Sequence, residues 1–271
     1  MKRLFIPLIL LLLPIGAAAQ RYDGLDSLLT GFYTALERAP LEEKTAEFDA
    51  LIASCRDSLT RQHVATEIFD HYKDAPVMGD EEISVHIYDR WFADGTVKMA
   101  GEFSLMDARM FADFNRSTLI GCDAPQVVLI KPGGAKVSVP EKGRTAILFF
   151  YDTECAKCRL EAKVLPGILE SIDFPVRFYA VYSGSDRKSW NRFRREFRVR
   201  NTSVRVEHFW DPGIDSDFIR WYGVISTPRM YLMEPSGSII GRRLEPESLQ
   251  QILPLAKQIA TIYETQKTTG N

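Results

Sequence analysis

The 271-residue sequence has few cysteines, few histidines and little net charge, and each shortage excludes a class of protein. Four cysteines are too few for a disulfide-rich scaffold, although they suffice for one redox pair or one metal site. A net charge of −2 gives no support for general nucleic-acid binding, so we expect no nucleic-acid partner. After the first twenty residues, no segment is long and apolar enough to span a bilayer. The remaining composition is that of an ordinary globular protein, and its function must be read from particular residues.

The first twenty residues have the three parts of a secretory signal. Lys2 and Arg3 form the positive end, residues 4–15 form the apolar stretch, and residues 17–19 are alanines that suit signal cleavage. The alternative is an uncleaved membrane anchor, but the apolar stretch is shorter than the ~20 residues that a spanning helix needs. The sequence therefore predicts a signal peptide over residues 1–19 and an exported, periplasmic mature protein in which disulfides can persist.

The segment before residue 116 has helical periodicity and almost no strand pattern. Apolar residues recur near a 3.6-residue period from residue 26 to residue 36, and acidic residues at 80–82 suit the first turn of a helix. The expected helices span residues 26–36, 41–59, 62–72, 80–92 and 105–114. The sequence thus predicts a helical domain over residues 20–116.

After residue 116 the pattern changes to strands that alternate with helices. Residues 145–151 form a continuous apolar run of the kind found in a central strand that is covered on both faces. Strands are expected at 127–131, 136–139, 145–151, 176–182, 204–209, 229–233 and 238–243, and helices at 156–172, 185–197, 215–222 and 246–264. This order predicts an α/β domain over residues 117–271, with a central mixed sheet flanked by helices.

One cysteine pair lies where thiol chemistry is favoured. The sequence Cys155-Ala156-Lys157-Cys158 stands between the apolar strand and the next helix. A sulfur at a helix N-terminus is near unpaired backbone N–H groups and the positive end of the helix dipole, and both favour the thiolate. We expect Cys155 to be the exposed nucleophile and Cys158, one turn into the helix, to be the resolving thiol.

Three other interpretations of this pair remain open. A zinc site would need further ligands, and none of the four histidines has finger-like spacing to the pair, so no metal is expected. A covalent haem site would need histidine directly after the second cysteine, where this chain has Arg159. The third alternative is a purely structural disulfide.

A second element is the proline at 228, which directly precedes a predicted strand. Together with the upstream pair, Thr227-Pro228 resembles the cis-proline loop of the thioredoxin superfamily. The resemblance is greatest to exported, TlpA-like thiol:disulfide oxidoreductases and covers roughly residues 118–265; its further marks are the entrance sequence at 121–125 and Tyr222-Gly223-Val224. It implies a thioredoxin-like fold, a cis Thr227–Pro228 bond beside the redox pair, and binding of substrate backbone by this loop.

Several positions depart from the family's pattern. Tyr151 and Glu154 stand where tryptophans are common, Lys157 replaces the usual proline between the cysteines, and Phe149 stands where thioredoxin has a buried acid. Lys157 favours the thiolate and Glu154 opposes it, so the sequence leaves the net effect on the thiol pKa open.

The resemblance implies an exported thiol:disulfide oxidoreductase that acts more as a reductase than as an oxidant. Its partners would be cysteine-containing envelope proteins and a membrane thiol electron donor, and it would need no cofactor. One alternative is a peroxiredoxin-type peroxidase, whose reactive cysteine follows a Thr or Ser by three residues, whereas Thr153 precedes Cys155 by two. The other alternative is a non-enzymatic protein-binding module with a vestigial redox site.

Two further expectations concern the residues outside the redox pair. Cys55 and Cys122 are the remaining cysteines, and a structural disulfide between them is one option, with two separate buried thiols as the other. The helical domain contains only one cysteine, so we expect it to set partner choice rather than to perform chemistry.

Overall fold

The computed structural model describes residues 22–269. The predicted signal peptide at residues 1–19 lies outside the described residues. No helix within residues 22–269 has both the length and the apolar character needed to cross a membrane.

The chain divides into two compact units, one up to Ala65 and one from Thr66 onward. The helices, in chain order, are α1 (Asp23–Leu36), α2 (Leu41–Ser54), α3 (Ser58–Lys73), α4 (Glu82–Ile87) with a π-helical turn at Tyr88–Phe92, α5 (Glu102–Asn115) with a 3₁₀ turn at Arg116–Thr118, α6 (Ala156–Glu170), α7 (Arg187–Glu196), α8 (Phe218–Trp221) and α9 (Pro246–Thr269). Secondary structure therefore changes from helical to mixed after Thr118, whereas the compact units divide after Ala65. Helices α4 and α5 belong to the same unit as the sheet.

The first unit is held by an aromatic and aliphatic core between α1 and α2. Phe48 and Ile52 are fully buried, and the Phe48 ring lies 5.8 Å from the Phe32 ring. The predicted helix over 41–59 ends at Ser54 instead, and α3 begins at Ser58. The reason is an N-terminal cap, because Asp57 Oδ1 accepts a hydrogen bond from the Thr60 backbone N–H at 2.9 Å.

The second unit contains a mixed seven-stranded sheet, as counted over the described residues. Its strands are β1 (Val127–Ile130), β2 (Lys136–Val139), β3 (Thr145–Tyr151), β4 (Val176–Tyr182), β5 (Val204–Trp210), β6 (Arg229–Met233) and β7 (Ile239–Gly241), in the spatial order β2-β1-β5-β4-β3-β6-β7. Strand β3 pairs in parallel with β4 and antiparallel with β6. The predicted mixed sheet flanked by helices is thus confirmed.

The apolar run of β3 is covered on both faces, as its sequence predicts. All seven of its residues are buried. Ile147 and Phe149 face a core layer that includes α6, α7 and α9, whereas Leu148 and Phe150 face a layer that includes α8. This strand therefore fixes the start of α6, which carries the cysteine pair.

A buried arginine joins the helical and sheet parts of the second unit. The Arg242 side chain is 1% exposed, and its Nη1 lies 2.8 Å from Oε1 of Glu81. Its Nη2 donates to Oδ1 of Asn115 at 2.7 Å, and the neighbouring Arg243 donates to the same oxygen. These contacts link Arg242, which follows β7, to Glu81 directly before α4 and to Asn115 at the end of α5.

We predict that Glu81→Ala lowers the free energy of unfolding by about 3–5 kcal/mol, because it leaves a buried guanidinium without its carboxylate. Urea unfolding measures the effect. The control is Asp173→Ala, which breaks the exposed ion pair with Lys257 and should change stability by less than about 1 kcal/mol. Equal losses in the free energy of unfolding for the two substitutions would contradict a stabilising role of the buried Glu81–Arg242 ion pair.

Candidate active site

Cys155 caps the N-terminus of α6 with its own sulfur. Its backbone is extended (φ −72°, ψ 119°), and its Sγ accepts a hydrogen bond from the Cys158 backbone N–H at 3.1 Å. A helix N-terminus leaves several N–H groups without intrahelical partners, and here one of them points at a sulfur that can carry negative charge. The strand-to-helix transition therefore places Cys155 where thiolate formation is favoured.

The proline loop lies directly against this sulfur. Arg229, the first residue of β6, is paired with Phe150 near the end of β3, which brings the preceding Thr227 and Pro228 to the same edge of the sheet. The Thr227–Pro228 bond is cis, as the resemblance implied. The Cys155 thiol donates to the Thr227 carbonyl oxygen at 3.2 Å. The structure thus brings the four sequence-predicted site residues together.

The two thiols differ sharply in environment. Burial opposes ionisation of Cys155, but hydrogen bonds to its sulfur from Cys158 and from the backbone of Lys157 lower its pKa below the ordinary value. Cys158 is 2% exposed, and burial together with the hydrogen bond to Cys155 raises its pKa to about 12. The arrangement makes Cys155 the more accessible and more acidic of the two thiols and keeps Cys158 protonated.

The sequence left open the net effect of Lys157 and Glu154 on the pKa of Cys155, and the structure shows how both residues are held. The ammonium of Lys157 forms an ion pair with Glu245 at 2.6 Å, so a carboxylate compensates its charge. Glu154 is exposed, and its backbone N–H donates to Asp152. The pKa of Cys155 is therefore lowered by hydrogen bonds, and the opposed charges of Lys157 and Glu154 are not its cause.

Glu161 is a buried acid near the pair that the sequence interpretation missed. It lies one helical turn after Cys158, is 5% exposed, and neither of its oxygens accepts a hydrogen bond within the described residues. The Lys157 ammonium is 4.0 Å away. Burial raises the pKa of Glu161 to about 7, although Lys157 opposes the rise. The signal was available, since position 161 falls on the inward face of α6 with Cys158 and Leu165.

Aromatic rings fill two of the four positions at which the sequence departs from the pattern that it resembles, Phe149 and Tyr151. Phe149 is fully buried and stacks on Tyr151 at 5.7 Å, and Tyr151 stacks on Phe193 of α7 at 3.9 Å. Tyr151 and Phe193 line part of a cavity of about 550 Å³ that lies between α6 and α7 and reaches Cys158. The position at which the resemblance implies a buried acid is therefore occupied by a fully buried apolar ring, Phe149.

The remaining cysteines are not joined in this structure. Both Cys55 and Cys122 are free thiols, so the optional disulfide between them is not formed. Each sulfur has a local partner instead, the Leu51 carbonyl for Cys55 and the Arg116 carbonyl for Cys122. Burial raises the pKa of both thiols. Within residues 22–269, no three His, Cys, Asp or Glu side chains are grouped so that they could hold a metal ion.

The thiol environments predict selective alkylation. Iodoacetamide should modify Cys155 first, with a rate that rises with pH about a midpoint below the ~8.5 of a free cysteine. Cys158 should remain unmodified because it is buried and protonated. Mass spectrometry of digested peptides across a pH series distinguishes the four cysteines, and equal rates at positions 155 and 158 would refute the asymmetry.

Glu161 predicts a fall in stability with rising pH. In the unfolded chain its pKa is near 4.3, and in the folded protein it is about 7, so the folded state binds more protons between these values. The contribution of Glu161 to the free energy of unfolding therefore decreases as the pH rises from about 4.3 to about 7. We expect Glu161→Gln to be more stable than the parent at about pH 8 and equal to it near pH 4 in urea unfolding.

The matched control is the exposed Glu264→Gln on α9, which should leave the pH profile unchanged. A Glu161→Gln profile parallel to that of the parent would show that Glu161 is not responsible.

Comparison with known proteins supports the fold. No family model matches the chain, and no curated protein matches it. Among solved structures, a thioredoxin-like protein from Bacteroides caccae matches with a TM-score of 0.65 and 12% identity, over 88% of this chain and 87% of its own. The thioredoxin domain of a thiol-disulfide oxidoreductase from Bacteroides vulgatus matches with a TM-score of 0.44 and 21% identity, over 52% of this chain and 97% of its own.

The first of these likenesses extends over most of the chain, including the helical segment that precedes the sheet. Together with the observed sheet order and the strand-to-helix position of the cysteine pair, it establishes that this chain has a thioredoxin-like fold.

Proposed function

We propose that this protein is an exported thiol:disulfide oxidoreductase that exchanges disulfides with cysteine-containing envelope proteins, working as a reductase. The observation that carries the proposal is the unequal pair at the start of α6. Cys155 is partly exposed and has a lowered pKa, whereas Cys158 is buried and has a raised one. An attacking thiol followed by a protected resolving thiol is what two-step exchange requires.

In the first step, the Cys155 thiolate attacks one sulfur of the partner's disulfide. A mixed disulfide forms, and the other partner sulfur leaves as a thiolate that takes up a proton. Cys158 then loses its proton to solvent and attacks the Cys155 sulfur, which releases the second partner thiol. The partner gains two electrons and two protons, and the protein ends with a Cys155–Cys158 disulfide that a dithiol donor must reduce.

The charge pattern around the pair favours the reducing direction. Strong oxidants of this chemistry have a reduced form that is stabilised by a deeply favoured thiolate. Here the Lys157 ammonium is paired with Glu245, and a buried carboxyl, Glu161, lies one turn away. Neither feature adds stabilisation to the thiolate, so the disulfide form is not strongly disfavoured. A membrane thiol carrier is the proposed electron donor.

The two rival functions receive no such support. A peroxidase would need a hydroxyl directed at the reactive sulfur, but the Thr153 hydroxyl hydrogen-bonds to Tyr182 at 3.3 Å. A vestigial site would have no reason to keep the lowered thiol pKa of Cys155. Export rests on the signal-like residues 1–19.

Cysteine variants of the mature chain test the proposal. Cys155→Ser should abolish exchange, because it removes the nucleophile, whereas Cys158→Ser should trap partners as mixed disulfides that dithiothreitol releases. The assay is reduction of insulin with dithiothreitol as donor, together with non-reducing gels of periplasmic extract.

Cys122→Ser is the matched control, since it removes a partly exposed thiol from outside the pair. It should exchange at the parental rate. Full activity of Cys155→Ser would overturn the proposed function, and peroxide consumption that depends on Cys155 would favour the peroxidase instead.

A further inference from the structure

Helix α5 carries an apolar stripe on its exposed side. Phe103, Met106, Met110 and Phe114 fall within about 80° of one another around the helix axis. Phe103 is 85% exposed, and both methionines are about half-exposed. The opposite side of α5 is already packed, since Ala108, Ala112 and Asn115 are buried. Single exposed apolar residues are ordinary on protein surfaces, but an aligned set on one helix face indicates an interaction surface.

This stripe leads toward the redox site. Phe114 lies against the loop before the cis proline, where a Cβ at Gly223 would be 2.5 Å from the Phe114 carbonyl oxygen. Ser117 at the end of α5 donates to the Trp221 carbonyl at 2.6 Å. From Gly223 the chain reaches Thr227, whose carbonyl accepts from Cys155. The distance along this loop is at most about 14 Å.

Two exposed apolar side chains continue the stripe, Trp221 at the end of α8 and Ile225 in the loop. Trp221 is partly exposed, and Ile225 is 66% exposed. We call the six residues Phe103, Met106, Met110, Phe114, Trp221 and Ile225 the apolar track. The helical part is about 16 Å long and the loop adds at most about 14 Å, so these two parts together span at most about 30 Å. An extended peptide of about nine residues would cover it.

The chemistry of the track selects the kind of partner. Its members are aromatic, methionine and isoleucine side chains, and methionine adapts its shape to different apolar groups. On α5 the neighbouring charges are paired, Asp107 with Lys73 and Asp113 with Arg116. The Arg220 guanidinium lies 5.7 Å from the centre of the Trp221 ring. Such a surface suits a partner that presents apolar side chains of varied shape, as an unfolded or extended polypeptide segment does. It suits a partner with an acidic or basic face less well.

We propose that the apolar track binds an extended apolar segment next to the disulfide of a partner protein, and so selects disulfides in unfolded or partly folded chains. This inference rests on the proposed function, because continuity with Cys155 is what gives the track its role. A disulfide that is presented to Cys155 places its flanking chain over the track.

The experiment compares two peptides with the same disulfide ring and flanks of about nine residues. One peptide has Leu and Phe in its flanks, and the other has Ser and Gly. For the mature parent chain, we expect kcat/KM to be at least about tenfold higher with the apolar flanks, a difference of about 1.4 kcal/mol. Each rate is normalised to the same protein's rate with hydroxyethyl disulfide, which is too small to reach the track.

The test variant is Phe103→Ser/Met106→Ser/Met110→Ser. Its preference ratio, which is kcat/KM with the apolar flanks divided by kcat/KM with the polar flanks, should fall to within about twofold of one. The control variant, Leu255→Ser/Ile262→Ser, removes exposed apolar side chains from α9 and should keep the parental ratio. Circular dichroism of both variants verifies that the helices are retained.

The outcomes separate this inference from the proposed function. A parent chain that fails to reduce hydroxyethyl disulfide overturns the proposed function. A parent that reduces it but shows no preference for apolar flanks overturns the track alone, as does equal loss of preference in both variants. Sedimentation that shows a parental dimer and a monomeric track variant would assign the surface to a second copy of the chain. Binding of the parent, but not the track variant, to lipid vesicles would assign it to a membrane surface.

Discussion

The hydrogen bond from the Cys158 backbone to the Cys155 sulfur is the interaction on which the site depends. It exists because β3 ends at Tyr151 and α6 begins at Ala156, so that the intervening turn leaves one sulfur at the helix entrance. The antiparallel pairing of β6 with β3 then supplies the Thr227 carbonyl from the opposite side. Sheet register, helix capping and the burial of Cys158 together give the two thiols different pKa values.

Most of the fold and the redox pair could be predicted from sequence because their signals are local. A continuous apolar run identifies β3, and a C-x-x-C at its end identifies the helix entrance. The Glu81–Arg242 pair was missed because its character comes from burial by distant segments. The burial of Glu161 was missed although its place on the inward face of α6 is a local signal. The helix break before α3 was misplaced because the capping role of Asp57 was not recognised, although such a cap is a local signal.

The buried Arg242 changes how the helical region should be viewed. The sequence separates a helical domain from the sheet at residue 116, but Arg242 of the sheet side is paired with Glu81 and hydrogen-bonded to Asn115. A fragment that begins after these residues would leave a buried guanidinium without its partners. Helix α5 is therefore held at a fixed position beside the proline loop, which is the condition for a helix to extend a substrate surface.

The reduction potential of the Cys155–Cys158 pair tests the central claim most directly. Equilibration of the mature chain in graded dithiothreitol buffers, followed by alkylation and mass measurement, reports how much of this disulfide forms at each ratio. A reversible two-electron couple with a potential nearer to about −270 mV than to about −120 mV is expected for a reductase of this kind. If Cys155 and Cys158 form no disulfide with each other at any ratio of reduced to oxidised dithiothreitol, the account is contradicted.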